Sequence, residues 1–472
     1  MMATTFGIIV GTRGFFNPKL AEEGRKNLLS FLDKKGYKYV IVGENDTPHG
    51  AIETYEDAEI CAKLFRENHE IIDGVIVSLP NFGDELGVVN TLNIAKIDAP
   101  ILVQACDDDL DKMDISHRRD SFCGKLSVCN NLHQYKIKFT NTSLHTYPIE
   151  SEIFEKDLEF FSKVCKVVKG IKTARLAQIG TRPAPFQTVR YSEKLLQNSG
   201  ITVIPVDLSE IIFDAKKISN NLPQVKAKVA EIKQYGNVAD YIKEEAIIKS
   251  AKLNLVIKKF MKDNRCVAGA IQCWSSIQNN YGCATCLPMS MMGEEGFPMA
   301  CETDITGALS MYALNLASSE PSGYLDWNNN YLDDRNKCIN IHCSNYPRSF
   351  IGKGKDFEIS NLDVLGNSVG YDICFGACKA QVASGPLTYA KISTDDNAGI
   401  IKVYFGEGEF TDDPVNTPGG SAVCKLKDLQ GLMDLICKNG FEHHVAMNRS
   451  YCAAILNEAF GNYLGWKTFW HK

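Results

Sequence analysis

Gly74-Val75-Ile76-Val77-Ser78-Leu79 is the stretch on which the fold turns. It is apolar apart from one serine, and it follows a stretch of helical periodicity over residues 55–68. A strand with one face in water alternates apolar and polar side chains, whereas a strand covered on both faces reads as a continuous apolar run. Working outward, Phe6-Gly7-Ile8-Ile9-Val10 and Tyr39-Val40-Ile41-Val42 precede it, with an amphipathic stretch over residues 19–35 between them. Pro100-Ile101-Leu102-Val103-Gln104 follows it. Apolar runs separated by periodic polar helices predict a Rossmann-like, doubly wound α/β domain with a parallel sheet over residues 1–165.

A second α/β domain of this kind is predicted over residues 166–318. Ala174-Arg175-Leu176-Ala177-Gln178-Ile179-Gly180 and residues 201–206 read as strands, with a helix carrying Val189, Leu195 and Leu196 between them. The charged stretch over 216–262 reads as mostly helical, and Ala268-Gly269-Ala270-Ile271-Gln272 returns to the sheet. From residue 319 to 472 the texture changes. Glycines and an asparagine run punctuate short β-rich segments such as 400–405, which predicts a β-rich, antiparallel, barrel-like C-terminal domain. Helices over 426–438 and 451–464 are predicted to close the chain.

Composition narrows the function. Of 472 residues, 44% are hydrophobic and 23% charged, the balance of an ordinary globular protein. A net charge of −6, with no Lys/Arg-rich block, argues against a nucleic-acid partner. The opening MMATTFGIIVGTRGFF lacks a basic segment followed by a long apolar one, so no secretory leader is predicted. No run approaches the roughly 18 apolar residues of a membrane span. Seventeen scattered cysteines, an odd number, predict reduced thiols and a cytoplasmic location. The tightest pairs, Cys283/Cys286 and Cys374/Cys378, lack the matching second CxxC of a zinc site.

Gly11-Thr12-Arg13-Gly14 after the first strand is not a G-x-G-x-x-G fingerprint, and there is no P-loop. Loops at strand C-termini still favour ligands, so Thr12, Arg13, Arg182 and Phe186 stand as secondary candidates. The segment from Gln272 to Cys343 is more informative: Ile271-Gln272-Cys273-Trp274, Met299-Ala300-Cys301-Glu302-Thr303-Asp304, Tyr324-Leu325-Asp326-Trp327 and Ile341-His342-Cys343. Burying a carboxylate is costly unless it is paired or bound to metal, so Glu302 and Asp326 point to a site. Glu302 fits equally well beside the start of a helix, and Asp304 fits an N-cap. In Phe441-Glu442-His443-His444-Val445, neighbours on a strand point to opposite faces, so one histidine would face a given site. Two carboxylates and an imidazole would suit manganese or a similar divalent ion.

Arg119-Asp120-Ser121-Phe122-Cys123-Gly124-Lys125, Gly180-Thr181-Arg182-Pro183-Ala184-Pro185-Phe186, Cys301-Glu302-Thr303-Asp304 and His443-His444-Val445 together resemble the L-fucose isomerase-like family of the L-fucose/L-arabinose isomerase superfamily. The resemblance covers essentially the whole chain. It implies two Rossmann-like domains, a β-rich C-terminal domain, and a homo-oligomer, a hexamer or related, with sites near subunit interfaces. It implies Glu302 as a metal ligand, with Asp326, 24 residues later, as the second. It implies His443 as the third, with His444 as the fallback. It places Gln272 and Trp274 against the sugar, with His342, Arg13, Phe186 and Arg119 as further substrate contacts. The implied cofactor is Mn2+, or another divalent cation such as Mg2+ or Co2+.

The implied reaction is aldose–ketose isomerisation through a cis-enediol, with Glu302 and Asp326 moving protons and the cation stabilising developing charge. Some relatives resemble isomerases of sulfonated sugars, which would convert sulfoquinovose to sulfofructose and could use Arg13, Arg118, Arg119 and Arg182 against the anion. A non-catalytic sugar-binding protein is the expectation from another class. A nicotinamide-dependent oxidoreductase is disfavoured by the missing glycine fingerprint.

Overall fold

The computed structural model describes residues 4–472. The chain divides into two compact units, Met1–Lys169 with Asn462–Leu464, and Gly170–Gly461 with Gly465–Lys472.

The first unit is built on the predicted apolar runs. Strands Lys38–Val40, Thr5–Val10, Gly74–Leu79, Ile101–Ala105 and Thr140–Asn141 lie side by side in that order, all parallel. Every residue of Gly74–Leu79 is buried. Alternation along the strands sends Ile8, Ile76 and Leu102 to one face, against helices Lys19–Lys35 and Glu152–Lys172. Ile9, Val75, Val77 and Val103 go to the other face, against helices Tyr55–Glu67, Glu85–Ala95 and Ser121–Gln134. Both faces are covered, which is why these strands read as unbroken apolar runs.

The Arg119–Lys125 motif marks the point where helix Ser121–Gln134 meets the loop after the central strand. A Cβ on Gly124 would overlap the carbonyl of Phe82, so only glycine allows this approach. One residue on, the buried Lys125 donates to Thr142 Oγ1 at 2.6 Å and to the His145 carbonyl at 3.0 Å, and burial pushes its ammonium down to about 8. Its role here is to tie helix to loop.

The second unit carries a four-stranded parallel sheet in the order Met299–Ala300, Ala268–Ile271, Arg175–Ile179, Thr202–Val206. The charged stretch resolves into helices Pro223–Tyr235 and Glu244–Asp263, preceded by Leu208–Lys217. Pro223 can open a helix but not continue one, and this sets the break. The β-rich part is a closed ring. Gly385–Asp395, His444–Asn448, Ser322–Tyr331, Asp334–His342, Gly420–Lys425 and Ile400–Thr411 pair antiparallel in that order, and the last pairs back to the first. Closure shortens the exposed strand edges but leaves residues 402–406 of Ile400–Thr411 open on one side of the ring. The helix expected over 451–464 is shorter, Ala453–Asn457, followed by a π-helical turn Glu458–Leu464. Beyond it, Lys467–His471 forms a strand parallel to Ile400–Thr411 that sequence reading did not anticipate.

Gly124→Ala should therefore destabilise the first unit. Overpacking of this kind costs about 1–3 kcal/mol, and each kcal/mol lowers Tm by about 2–4 °C in a unit of this size. Thermal unfolding of the purified variant reads the shift, and an unchanged Tm would refute the close approach.

Candidate metal centre

Glu302 and Thr303 are left-handed, with φ of 52° and 61°. Such angles are uncommon outside glycine and anomalous for a β-branched threonine, costing about 1–3 kcal/mol each. The turn they make carries the chain from strand Met299–Ala300 into helix Ile305–Ser318 and buries the Glu302 side chain. Asp304 caps that helix as expected, with Oδ1 accepting from the Gly307 amide at 2.7 Å and from Thr306 Oγ1 at 3.0 Å. Its Oδ2 accepts from the Tyr324 hydroxyl, from Lys391 Nζ at 2.6 Å, and from His444 Nδ1 at 3.1 Å. A Cβ on Gly307 would collide with the Tyr324 hydroxyl, so glycine lets the tyrosine reach Asp304.

Barrel register supplies the other side. Asp326 on strand Ser322–Tyr331 lies directly opposite His444, and its other neighbour is Ile341, next to His342. A carboxylate only accepts, so the hydrogen of this contact sits on His444 Nδ1, which in the neutral ring leaves the Nε2 lone pair free. That nitrogen is 3.6 Å from Glu302 Oε2 and 3.5 Å from Asp326 Oδ1. His342 Nε2 lies 3.7 Å from the same glutamate oxygen and 4.0 Å from the same aspartate oxygen. Both oxygens are buried and have no hydrogen-bond partner among the described residues. Buried acceptors are costly when unsatisfied. A cation at their centre satisfies them all. Donor atoms about 2.0–2.2 Å from one ion sit about 3–3.6 Å apart, depending on geometry, so the observed set needs little contraction.

The electrostatics follow from these contacts. Burial pushes the Glu302 carboxyl up, but His342 and His444 outweigh it and hold the group below its ordinary 4.5. Burial lowers His342, yet Asp326 and Glu302 carry it above 6.5. Burial, helped by His444, holds His443 below 6.5. Burial opposes ionisation of Asp304, and Lys391 with His444 overcomes it, leaving the carboxyl well below the usual range.

The centre opens into a cavity of about 290 Å³. Glu302, Asp326, His342, His443, His444, Phe186 and Trp274 all line it, so most of the expected residues converge. Against the expectation that one histidine would face the site, both line the cavity, because strand His444–Asn448 begins only at His444 and alternation does not reach His443. His444 is buried in the centre, while His443 stands at its rim, 46% exposed, with Nε2 4.0 Å from Asp326 Oδ1. Phe186 sits edge-on to Trp274 at 5.0 Å, and the buried indole N–H has no partner among the described residues. Gln272 is not brought to this cavity. Its Oε1 accepts from the Thr181 amide at 3.1 Å, and it lines a neighbouring cleft. Arg13 and Arg119 belong to the first unit. There Arg13 pairs with Asp84 and Glu85 over the Phe82 ring, and Arg119 donates to the Pro80 carbonyl. Sequence reading missed Lys391 and Lys379. A lysine inside the apolar strand segment Leu387-Thr388-Tyr389-Ala390-Lys391-Ile392 was a signal for the first; nothing local marked the second.

Comparison with known proteins agrees at both ends of the chain. Residues 7–172 match the family model for the fucose/sulfoquinovose isomerase N-terminal domain, and residues 340–471 match that for the L-fucose isomerase C-terminal domain. A sulfoquinovose isomerase from Alkalicoccus urumqiensis is 25% identical over 323 residues, covering 67% of this chain and 68% of that protein. One from Priestia aryabhattai is 26% identical over 229 residues, covering 48% of this chain and 50% of that protein, so the match spans half its length. A glucose-galactose binding protein from Geobacillus stearothermophilus is 12% identical, covering 67% of this chain and 92% of that one. Its TM-score of 0.16 establishes no common fold.

The shifts of His342 and Glu302 have opposite consequences for stability. His342, raised on folding, stabilises the chelator-treated protein below pH 6.5, and that contribution disappears as pH rises through its folded value. Glu302, depressed on folding, contributes above pH 4.5 and loses its contribution as pH falls through its folded value. The Tm gap between chelator-treated wild type and His342→Gln should therefore shrink as pH rises above 6.5. A gap that stays constant would refute the assignment.

Proposed function

Because the chain belongs to the fucose/sulfoquinovose isomerase family, matched by that family's domains at both ends, we propose that it is a metal-dependent aldose–ketose isomerase. Membership makes it a sugar isomerase, an intramolecular oxidoreductase acting on a small sugar. The metal is our reading. It rests on the unpartnered oxygens of Glu302 and Asp326 facing the Nε2 atoms of His342 and His444. An oxygen-plus-imidazole set suits manganese, with Mg2+ or Co2+ as alternatives. His444 is preferred over His443 as ligand because Asp304 fixes its ring and its tautomer.

A divalent ion held there would supply positive charge against which the substrate's neighbouring oxygens share a proton load. The chain's own groups do the rest. Asp326, a quarter exposed to the cavity, is placed to take the proton from C2 of the aldose. Asp326 would return it at C1, while Glu302, with Oε1 held by the Cys273 thiol at 3.4 Å, would carry the proton of the C2 hydroxyl to the C1 oxygen. The free indole N–H of Trp274 and the ring of His443 offer contacts to sugar hydroxyls. Phe186 and Trp274 together wall off solvent.

For the substrate we propose a sulfonated hexose, sulfoquinovose, converted to sulfofructose. The relatives named sulfoquinovose isomerase support this choice. Among the described residues Lys379 is the one lysine or arginine lining the cavity, and its ammonium, paired with Asp363 at 2.6 Å, is the group to meet the sulfonate. A neutral fucose-type sugar is the second reading, favoured by the description of the matched C-terminal domain.

Two measurements test this. Purified protein should hold a divalent ion and move deuterium from solvent into C1 or C2 of its substrate. Glu302→Gln should lower kcat by about 10²–10⁴-fold. A metal-free protein that binds sugar without exchange would point instead to a sugar-binding protein. With sulfoquinovose, Lys379→Ala should lower kcat/KM about 10–100-fold, the value of a charge-assisted hydrogen bond of about 1.5–3 kcal/mol. Turnover of L-fucose in preference to sulfoquinovose would favour the neutral sugar.

A further inference from the structure

Lys391 is fully buried in strand Gly385–Asp395, and no step of the proposed reaction uses it. Its Nζ bonds Asp304 Oδ2 at 2.6 Å and Thr306 Oγ1 at 3.1 Å. Burying an ammonium is costly, and a hydrophobic side chain of like length would fill the space at lower cost. The lysine therefore calls for a specific explanation, and its partner supplies one. Asp304 Oδ2 is the same oxygen that receives His444 Nδ1. Four carboxylates crowd this region: Glu302, Asp304 and Glu442, each no more than 6% exposed, and Asp326. Among the described residues, no lysine or arginine other than Lys391 forms an ion pair with any of them.

We infer that Lys391 is a positioning residue of the metal centre, acting through Asp304 to hold His444 with Nε2 turned to the ion. The inference rests on the metal-dependent reading above. Asp304 is anchored on its other oxygen by the Gly307 amide and Thr306, and on Oδ2 by the Tyr324 hydroxyl. These donors are neutral. Lys391 adds a charge-assisted bond to the same oxygen that accepts from the imidazole, and so holds that oxygen in place. Partners one layer behind a metal-ligating histidine set its tautomer and orientation, and their loss typically weakens metal affinity about 10–100-fold.

The test measures manganese(II) affinity by competition with a chelating dye, and records the visible spectrum of the cobalt(II)-loaded protein, for wild type, Lys391→Met, Asp304→Asn and the double variant. Lys391→Met should bind manganese about 10–100-fold more weakly and shift the cobalt bands, which a purely structural loss would leave alone. Because the lysine acts through Asp304, adding Lys391→Met to Asp304→Asn should weaken binding no further. Wild-type affinity with unshifted bands in Lys391→Met, or additive losses in the double variant, would overturn the inference while leaving the metal reading intact. A wild type that binds no divalent ion overturns both. Should a single variant fail to fold, the double variant, which leaves neither charge unpaired, decides against wild type: weaker binding is expected, and equal binding overturns the inference.

Discussion

Two buried carboxylate oxygens with no hydrogen-bond partner among the described residues are the constraint on which the second unit is built. Glu302 Oε2 and Asp326 Oδ1 converge with the Nε2 atoms of His342 and His444 at 3.5–4.0 Å. Such a cluster is unfavourable in its bare form and persists only where the surrounding structure over-determines it. The four side chains are held by three devices: a left-handed corner for Glu302, direct cross-strand pairing for Asp326 and His444, and a strand terminus for His342. The closed barrel matters for the same reason. Strands paired on both sides cannot slip register, and a slip of one residue would turn Asp326 and His444 away.

The α/β layers were legible because their signal is local. Lys19–Lys35 and Gly74–Leu79 have the boundaries that periodicity assigns, since burial on two faces leaves no polar residue to blur a strand's ends. What was illegible depends on distant partners. Strand Lys467–His471 exists because Ile400–Thr411 offers it an edge, and nothing within the segment announces this. Gln272 illustrates the same limit at the site. The family resemblance implied a sugar contact for it, whereas the turn at Gly180, φ 78°, brings the Thr181 amide to its Oε1 and sets the side chain in a neighbouring cleft.

The paired histidines show how far alternation carries. It predicts that one of His443 and His444 faces a given site, yet both reach the cavity, because strand His444–Asn448 begins only at His444. What sets His444 deeper is register, fixed by pairing Asp326 with His444 across strands more than a hundred residues apart in sequence. Carboxylates in apolar runs drew attention to Glu302 and Asp326, which line one cavity. The same logic applied to cations would have found Lys391, which breaks an apolar strand in the same way.

The thiols around Glu302 follow from the same need to satisfy acceptors without adding charge. Cys273 Sγ donates to Glu302 Oε1 at 3.4 Å and accepts from the Glu302 amide at the same distance. Cys273, Cys301 and Glu302 could on spacing alone form a soft-metal site. Burial argues otherwise, because it pushes both thiols up and keeps them protonated, and only thiolates bind such ions well. A protonated thiol is small, neutral and a weak donor. It can orient one oxygen of Glu302 without competing for a cation that the other oxygen would face. A serine would donate more strongly and draw charge from the carboxylate; a histidine would add a rival ligand. The protonated cysteine leaves a centre of oxygen and imidazole donors, the chemistry that selects a harder ion over a thiophilic one.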